Sequence, residues 1–406
     1  MSGAAELHGA LRQAHELILL GGVLGILSVV AGVISRRIGA PMLLAFLGLG
    51  MLAGDDGVLG LPFDSYPAAY LIGSLALAVI LFEGGLKTPL ATLRCAFWPA
   101  AALATVGVVI TAGVAGVGVA LLDRVALVPS LLVGAIVAPT DAAAVAVLLR
   151  GARVAVPERL LAVLEVESGL NDPISVLLTF LLLRVMAAGG AITAGDIALG
   201  VAREMLGGAA IGLAGGWVLA VALRRLRMEP ALATVLALAG ALAVFGLAQV
   251  LGTSGFLATY LAGIMAARSG PAARERLEPF FEGMGWLAQI VLFLMLGLLV
   301  TPHRLLPFIP SALVGTAVLI FIARPVAVFA CLAPLGFAWR ESAFASWVGL
   351  RGAVPIYLSL IPALTEAGRG RDERLFASIF IAVIASLVVQ GWTIGPAARL
   401  LGFRRR

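Results

Sequence analysis

Apolar residues run in blocks of about twenty along the chain, separated by short polar breaks rich in arginine, aspartate and glycine. A block of that length is what an α-helix needs to cross the hydrocarbon core of a bilayer. Alternating segments of about ten residues, the pattern of a membrane barrel, do not occur. The windows predict about thirteen spans, near 17–35, 41–54, 68–86, 96–121, 130–149, 158–186, 197–223, 230–250, 254–267, 283–301, 307–334, 343–364 and 374–398. The first is long enough to remain as a span rather than be removed as a signal peptide. This reading predicts an all-α membrane protein, a single transmembrane domain over residues 1–406 with no soluble domain.

The order of the spans suggests internal symmetry. With the seventh span (197–223) as a linker, residues 17–186 and 230–398 form two six-helix halves of opposite orientation, as in inverted-repeat transporters. The fifth span of the first half contains Ala138-Pro139-Thr140-Asp141, and the fifth of the second half contains Gly352-Ala353-Val354-Pro355. Proline removes a backbone hydrogen bond and crowds the preceding turn, so spans 5 and 12 are expected to be broken and crossed. A broken helix survives in a bilayer only against protein or a wet cavity. Paired breaks therefore point to an ion site near the midplane.

Composition agrees with the pattern: 61% of residues are hydrophobic, only 12% are charged, and mean hydropathy is +1.09. A soluble domain carries about twice that charge. The pI near 10.1 does not indicate nucleic acid, because the basic residues sit in small groups between apolar runs. Arg36, Arg37, Arg150, Arg153, Arg224, Arg225, Arg268, Arg340 and the C-terminal arginines fall on one set of loops, whereas Asp55, Asp56 and Asp64 fall on the other. The positive-inside rule then places the C-terminus in the cytoplasm and the N-terminus outside the cell (inner) membrane. Cys95 and Cys331 offer neither a disulfide framework nor metal-ligand spacing, and His8, His15 and His303 lie away from the spans. No cofactor is expected.

Charges inside spans are costly, by at least ~2.5 kcal/mol each at the centre. Asp141, Glu165, Glu167, Asp172, Arg324 and Arg351 are placed there nonetheless, with Glu83 near a span end. On a helix, residues three and four apart are neighbours. Ser168 and Asp172 therefore share one face of the sixth span, and Glu167 and Asn171 the adjoining one. A hydroxyl one turn from a carboxylate makes a hard-oxygen site for an unhydrated alkali ion, and the broken helix at Thr140 can add backbone carbonyls. Desolvation disfavours the charged form of a carboxyl group. Asp172 is then neutralised either by H⁺ or by a cation, which is the minimum device for antiport. Asn171 beside it can only hydrogen-bond, so one titrating group predicts one proton per cation and electroneutral exchange.

Ala138-Pro139-Thr140-Asp141-Ala142-Ala143-Ala144-Val145, Glu167-Ser168-Gly169-Leu170-Asn171-Asp172-Pro173, Gly252-Thr253-Ser254-Gly255-Phe256-Leu257 and Gly349-Leu350-Arg351-Gly352-Ala353-Val354 together resemble the monovalent cation/proton antiporters of the electroneutral, Na⁺/H⁺-exchanger-like family. Within it the chain is most similar to the bacterial K⁺/H⁺ antiporter subgroup of the NhaP type. The resemblance implies a homodimer with a dimerisation domain and a six-helix core that moves to give alternating access. It implies that Asp172 binds cation or proton, with Ser168 and the Thr140 backbone as further ligands. Asn171 would bridge to Thr140 and Asp141, Glu167 would pair with Arg324, and Arg351 would steady the second broken helix. Two departures stand out. Members of the K⁺ subgroup usually continue into cytosolic regulatory domains, whereas this sequence stops at Arg406. Gly169-Leu170 also replaces the Leu-Leu often found in Na⁺-specific members, which favours K⁺ over Na⁺.

Other readings are a cation channel or ion sensor on the same scaffold, and an organic-anion symporter. The first lacks a repeated carbonyl filter motif, and the second would favour buried cations over a central acid. No nucleophile–base pair or metal cluster suggests an enzyme. Expected partners are membrane lipid, a second copy of the chain, monovalent cations and protons, and not nucleic acid.

Overall fold

The computed structural model of the chain describes residues 2–38, 40–88, 90–152, 154–188, 193–226, 228–364 and 372–403. The first half begins with α1 (Ser2–Ile38), α2 (Met42–Ala53) and α3 (Tyr66–Lys87). α4 (Leu90–Ala102) runs through a π turn at Leu103–Gly107 into α5 (Val108–Asp123). There follow the broken pair α6 (Leu127–Val137) and α7 (Ala142–Ala152), and then α8 (Glu158–Ala187). α9 (Ala194–Arg225) occupies the predicted linker. The second half holds α10 (Pro230–Val250), α11 (Gly255–Ala266) and α12 (Pro271–Leu298). A run from α13 (Pro302–Leu305) through α14 (Ile309–Val318) and a π turn at Leu319–Ala323 continues into α15 (Arg324–Leu332). α16 (Trp339–Trp347), α17 (Ala353–Ala363) and α18 (Asp372–Leu400) complete it.

Every predicted window holds a helix or a broken helix, but they are not of one kind. Among the described residues, nine helices are long and apolar enough to cross a membrane, and the bent pair α6–α7 makes a tenth. The windows near 41–54, 254–267 and 343–364 hold helices of 9 to 12 residues, short of the about 20 that a straight crossing takes. Length and apolarity alone thus count up to ten crossings among the described residues, and the three windows with short helices make up the difference from the predicted thirteen.

Burial separates core from periphery. In α3 and α18, 61% of the apolar window is buried, against 11% in α1 and 28% in α9. Peripheral helices turn Leu17, Ile18, Ile26, Leu199 and Leu206 outward, as a lipid-facing surface requires. Of the two cysteines, Cys331 is buried in the core and Cys95 is exposed. On the face where α2 ends, His303 at the start of α13 reaches back to Asp56, its backbone N–H 2.9 Å from Oδ2 and its ring Nδ1 2.7 Å from Oδ1. The backbone hydrogen bond, ahead of the ring contact and its charge, holds the Asp56 carboxyl below the usual carboxylate range. That contribution to stability is complete above the ordinary range and is lost as pH falls through the lowered value.

Candidate functional site

Two helices stop half-way and meet. α6 ends at Val137 and α7 resumes at Ala142, bent by 47°; α16 ends at Trp347 and α17 resumes at Ala353. Each break leaves carbonyls at the end of one half and N–H groups at the start of the next without intrahelical partners. Inside a membrane the protein itself must supply those partners. Pro139 lies within the first break, as predicted. Pro355 does not lie within the second: it sits in the first turn of α17, where its missing N–H has no intrahelical partner to lose. The second break comes earlier, at Val348–Gly352, so the two prolines are not at equivalent places.

The partners come largely from residues that stand out as misplaced polar groups in the sequence. The N–H of Asp141 donates to the Leu350 carbonyl at 2.8 Å, tying one break to the other. Asp141 Oδ1 accepts the Ala144 N–H at 2.9 Å and so caps α7. Ser168 Oγ, reaching in from α8, accepts the Ala142 N–H at 3.2 Å and donates to the Thr140 carbonyl at 3.0 Å. Asn171 Nδ2, one turn along, donates to Thr140 Oγ1 at 2.9 Å. From the other break, the Arg351 guanidinium donates to the carbonyls of Ala138 and Pro139, the latter at 2.9 Å. A cation at the end of α6 also faces the negative end of its dipole.

Asp172 stands apart from this web. Its side chain is half-buried and within electrostatic reach of Asp141, and no hydrogen bond holds its carboxyl among the described residues. Its neighbours on the adjoining face, Glu167 and Asn171, are fully buried, as the helical spacing predicts. Glu167 forms a two-pronged ion pair with Arg324, at 2.6 and 3.0 Å. Arg351 does not share Glu167; it goes to the carbonyls of the first break instead. Glu165 is exposed, and Glu83 pairs with Lys87 one turn away at 2.7 Å. No group of three or more His, Cys, Asp or Glu side chains gathers as a metal site among the described residues. Ser168 Oγ, one turn before Asp172 on α8, and the Thr140 carbonyl that it bonds are both oxygen groups, so with the Asp172 carboxyl this stretch offers a hard-oxygen set.

Sequence reasoning missed the second break's support. Gln390 Nε2 donates to the Trp347 carbonyl at 2.7 Å, Ser386 Oγ donates to Gln390 Oε1 at 2.6 Å, and the Arg351 N–H donates to Ser386 Oγ at 3.1 Å. Thr393 Oγ1 accepts from the Trp347 indole at 3.0 Å. The signal existed: Ser386, Gln390 and Thr393 are polar residues at i, i+4 and i+7 of an apolar span, one stripe of its surface. Gly169 has a packing reason, since a Cβ there would lie 2.5 Å from the Tyr260 ring.

The close approach of the breaks makes one position testable. A Cβ on Gly352 would lie 2.6 Å from Asp141 Oδ2 and 2.9 Å from Asp141 Cβ. Gly352→Ala is expected to wedge the breaks apart, at a cost of about 1–3 kcal/mol. Thermal unfolding in detergent reads this as a lowered midpoint, and an unchanged midpoint would show that the contact yields.

A family model described as the transmembrane sodium/hydrogen exchanger matches residues 24–400. A K(+)/H(+) antiporter NhaP of Alkalimonas amylolytica is 43% identical over 385 residues, which cover 95% of this chain and 66% of that protein. A K(+)/H(+) antiporter NhaP2 of Shewanella oneidensis is 42% identical over 389 residues, covering 95% and 67%. The chain thus spans about two thirds of the length of these curated relatives. Among solved structures, the sodium proton antiporter MjNhaP1 of Methanocaldococcus jannaschii superposes with a TM-score of 0.81 at 21% identity, over 95% of this chain and 100% of that one. That likeness is one of fold.

Proposed function

The chain belongs to the family of transmembrane sodium/hydrogen exchangers, and from that premise we propose that it trades a monovalent cation for protons at Asp172 by alternating access. One observation carries the reading: a half-buried carboxyl in the middle of α8 makes no hydrogen bond or ion pair among the described residues, beside two helix ends already satisfied by their own neighbours. A bare charge there is unfavourable, so the group is neutralised either by a proton or by a dehydrated cation. Ser168 Oγ and the Thr140 carbonyl each keep a lone pair beyond their mutual hydrogen bond, and these are the further ligands. Asn171 and Asp141 hold the first break in shape, Arg351 closes its carbonyl end, and Glu167 with Arg324 fastens α8 to α15.

A single titrating acid gives one proton per cation and electroneutral exchange. The names of the two bacterial relatives, both K(+)/H(+) antiporters, favour K⁺ as the cation. The paired breaks, and π turns in both the fourth and the eleventh predicted spans, support the inverted repeat of residues 17–186 and 230–398. The arginine-rich loops support a C-terminus on the cytoplasmic side of the bacterial inner membrane. The sparsely covered apolar face of α1 supports a homodimer.

The test is exchange in proteoliposomes with a preset pH gradient. Adding K⁺ or Na⁺ is expected to dissipate the gradient at a rate that does not change when a membrane potential is imposed; a channel would respond to that potential. Ser168→Ala is expected to raise the cation concentration for half-maximal exchange by about tenfold, the loss of one ligand to a charged species. The pH profile at saturating cation should stay in place. Equal losses in cation and proton affinity would remove Ser168 from the coordination shell.

A further inference from the structure

The stripe of α8 that carries Asp172 changes character along its length. Residues three, four and seven apart share such a stripe. On the N-terminal side of Asp172, Glu158 and Glu165 are exposed, and Leu161 and Ser168 are half-buried like Asp172 itself. On the far side, Val176, Thr179 and Leu183 are all buried. The stripe is therefore open from the start of α8 as far as Asp172 and closed beyond it. The open end follows Arg150 and includes Arg159, within the arginine-rich set of loops.

The opening is a gap inside the protein rather than a face turned to lipid. Gly169 flanks the stripe, and a Cβ there would lie 2.5 Å from the Tyr260 ring of α11. The Tyr260 hydroxyl in turn lies 3.4 Å from Thr88 Oγ1, just past the end of α3. Thus α11 and α3 stand across from this part of α8, and a carboxyl exposed between them is exposed to water. Glu165 lies two turns, about 10 Å, before Asp172. It makes no hydrogen bond or ion pair among the described residues; Arg150 on α7 and Tyr260 on α11 are within electrostatic reach of it. A carboxylate left over in a cleft with low-dielectric walls raises the local concentration of cations.

We infer that Glu165 is the first contact of the transported cation on the arginine-rich, cytoplasmic side, a carboxylate that gathers the hydrated ion and hands it along the stripe to Ser168 and Asp172. This role rests on the exchange reading. Inside-out vesicles, which present that face to the medium, test it with added K⁺ and a preset pH gradient. Glu165→Gln should raise the K⁺ concentration for half-maximal exchange by about threefold at low ionic strength, while the rate at saturating K⁺ and the thermal midpoint are retained. Glu165→Asp keeps the charge and should restore the wild-type concentration. In about 1 M choline chloride, where charges are screened beyond about 3 Å, the difference between Glu165→Gln and wild type should vanish. The opening itself is read without transport: in a chain carrying Cys95→Ser and Cys331→Ala, Glu165→Cys should react with a membrane-impermeant maleimide added to these vesicles, and Thr179→Cys should not. An unlabelled Glu165→Cys would show that no water reaches the position and overturn the inference. A labelled position with an unshifted K⁺ dependence in Glu165→Gln would remove Glu165 from the ion path and leave exchange at Asp172 standing. A wild-type chain that moves no protons on addition of K⁺ or Na⁺ would sink the exchange reading and this role together.

Discussion

Asp172→Asn is expected to reach the membrane, fold and unfold thermally like the wild-type chain, and exchange nothing. The carboxyl of Asp172 makes no hydrogen bond among the described residues, so an amide of the same shape removes no contact that holds α8 in place. What it removes is the ability to carry charge. An amide neither binds a proton in this pH range nor offers the negative charge that makes it favourable for K⁺ or Na⁺ to shed water inside the protein. Dissipation of a pH gradient by added cation should therefore fall to the leak rate of empty liposomes at every pH. Asp141 is the nearest alternative carrier, but its Oδ1 is engaged in capping α7, so it should not substitute. Cation-driven proton movement above leak in this variant would take Asp172 out of the proposed exchange.

Glu167→Ala should fail in the opposite way, by losing the fold. Glu167 and Arg324 are 0% and 2% exposed and joined by two hydrogen bonds. Removing the carboxylate leaves a guanidinium buried without a counter-charge, and breaking a buried pair on one side costs about 3–5 kcal/mol. Arg351 sharpens the effect, since it is a second buried cation within electrostatic reach of both partners. The expected readout is a strongly lowered thermal midpoint and poor recovery from the membrane. Replacing both partners with apolar side chains of similar size, Glu167→Leu with Arg324→Met, should restore much of the midpoint, because no lone charge remains. Wild-type stability in the single variant would mean that Arg324 finds another partner and that the pair is not what fastens α8 to α15.

The candidate site was legible where burying a polar group is most unfavourable. Asp141, Glu167, Asp172, Arg324 and Arg351 stand out because a charge in an apolar span needs a reason, and helical spacing alone sorted Ser168 and Asp172 from Glu167 and Asn171. Pro139 marked the first break correctly. Pro355 misled, because a proline can either interrupt a helix or sit harmlessly in its first turn, and local sequence does not choose between the two. The Ser386–Gln390 network passed unnoticed because uncharged polar groups are common in apolar helices, and their meaning depends on what they face.

The sequence by itself determined that this is a helical membrane protein, which spans carry the unusual charges, and which side of α8 each of its polar residues occupies. These follow from hydropathy and from the 3.6-residue period, which are properties of one segment at a time. Only the tertiary structure decided that Arg351 closes the end of α6 rather than sharing Glu167, that Asp141 ties to Leu350, and that the Asp172 carboxyl makes no hydrogen bond among the described residues. Those facts depend on the register between helices that are tens to hundreds of residues apart in the chain. That register is set by close packing of side chains and by the need to satisfy every broken backbone group out of water.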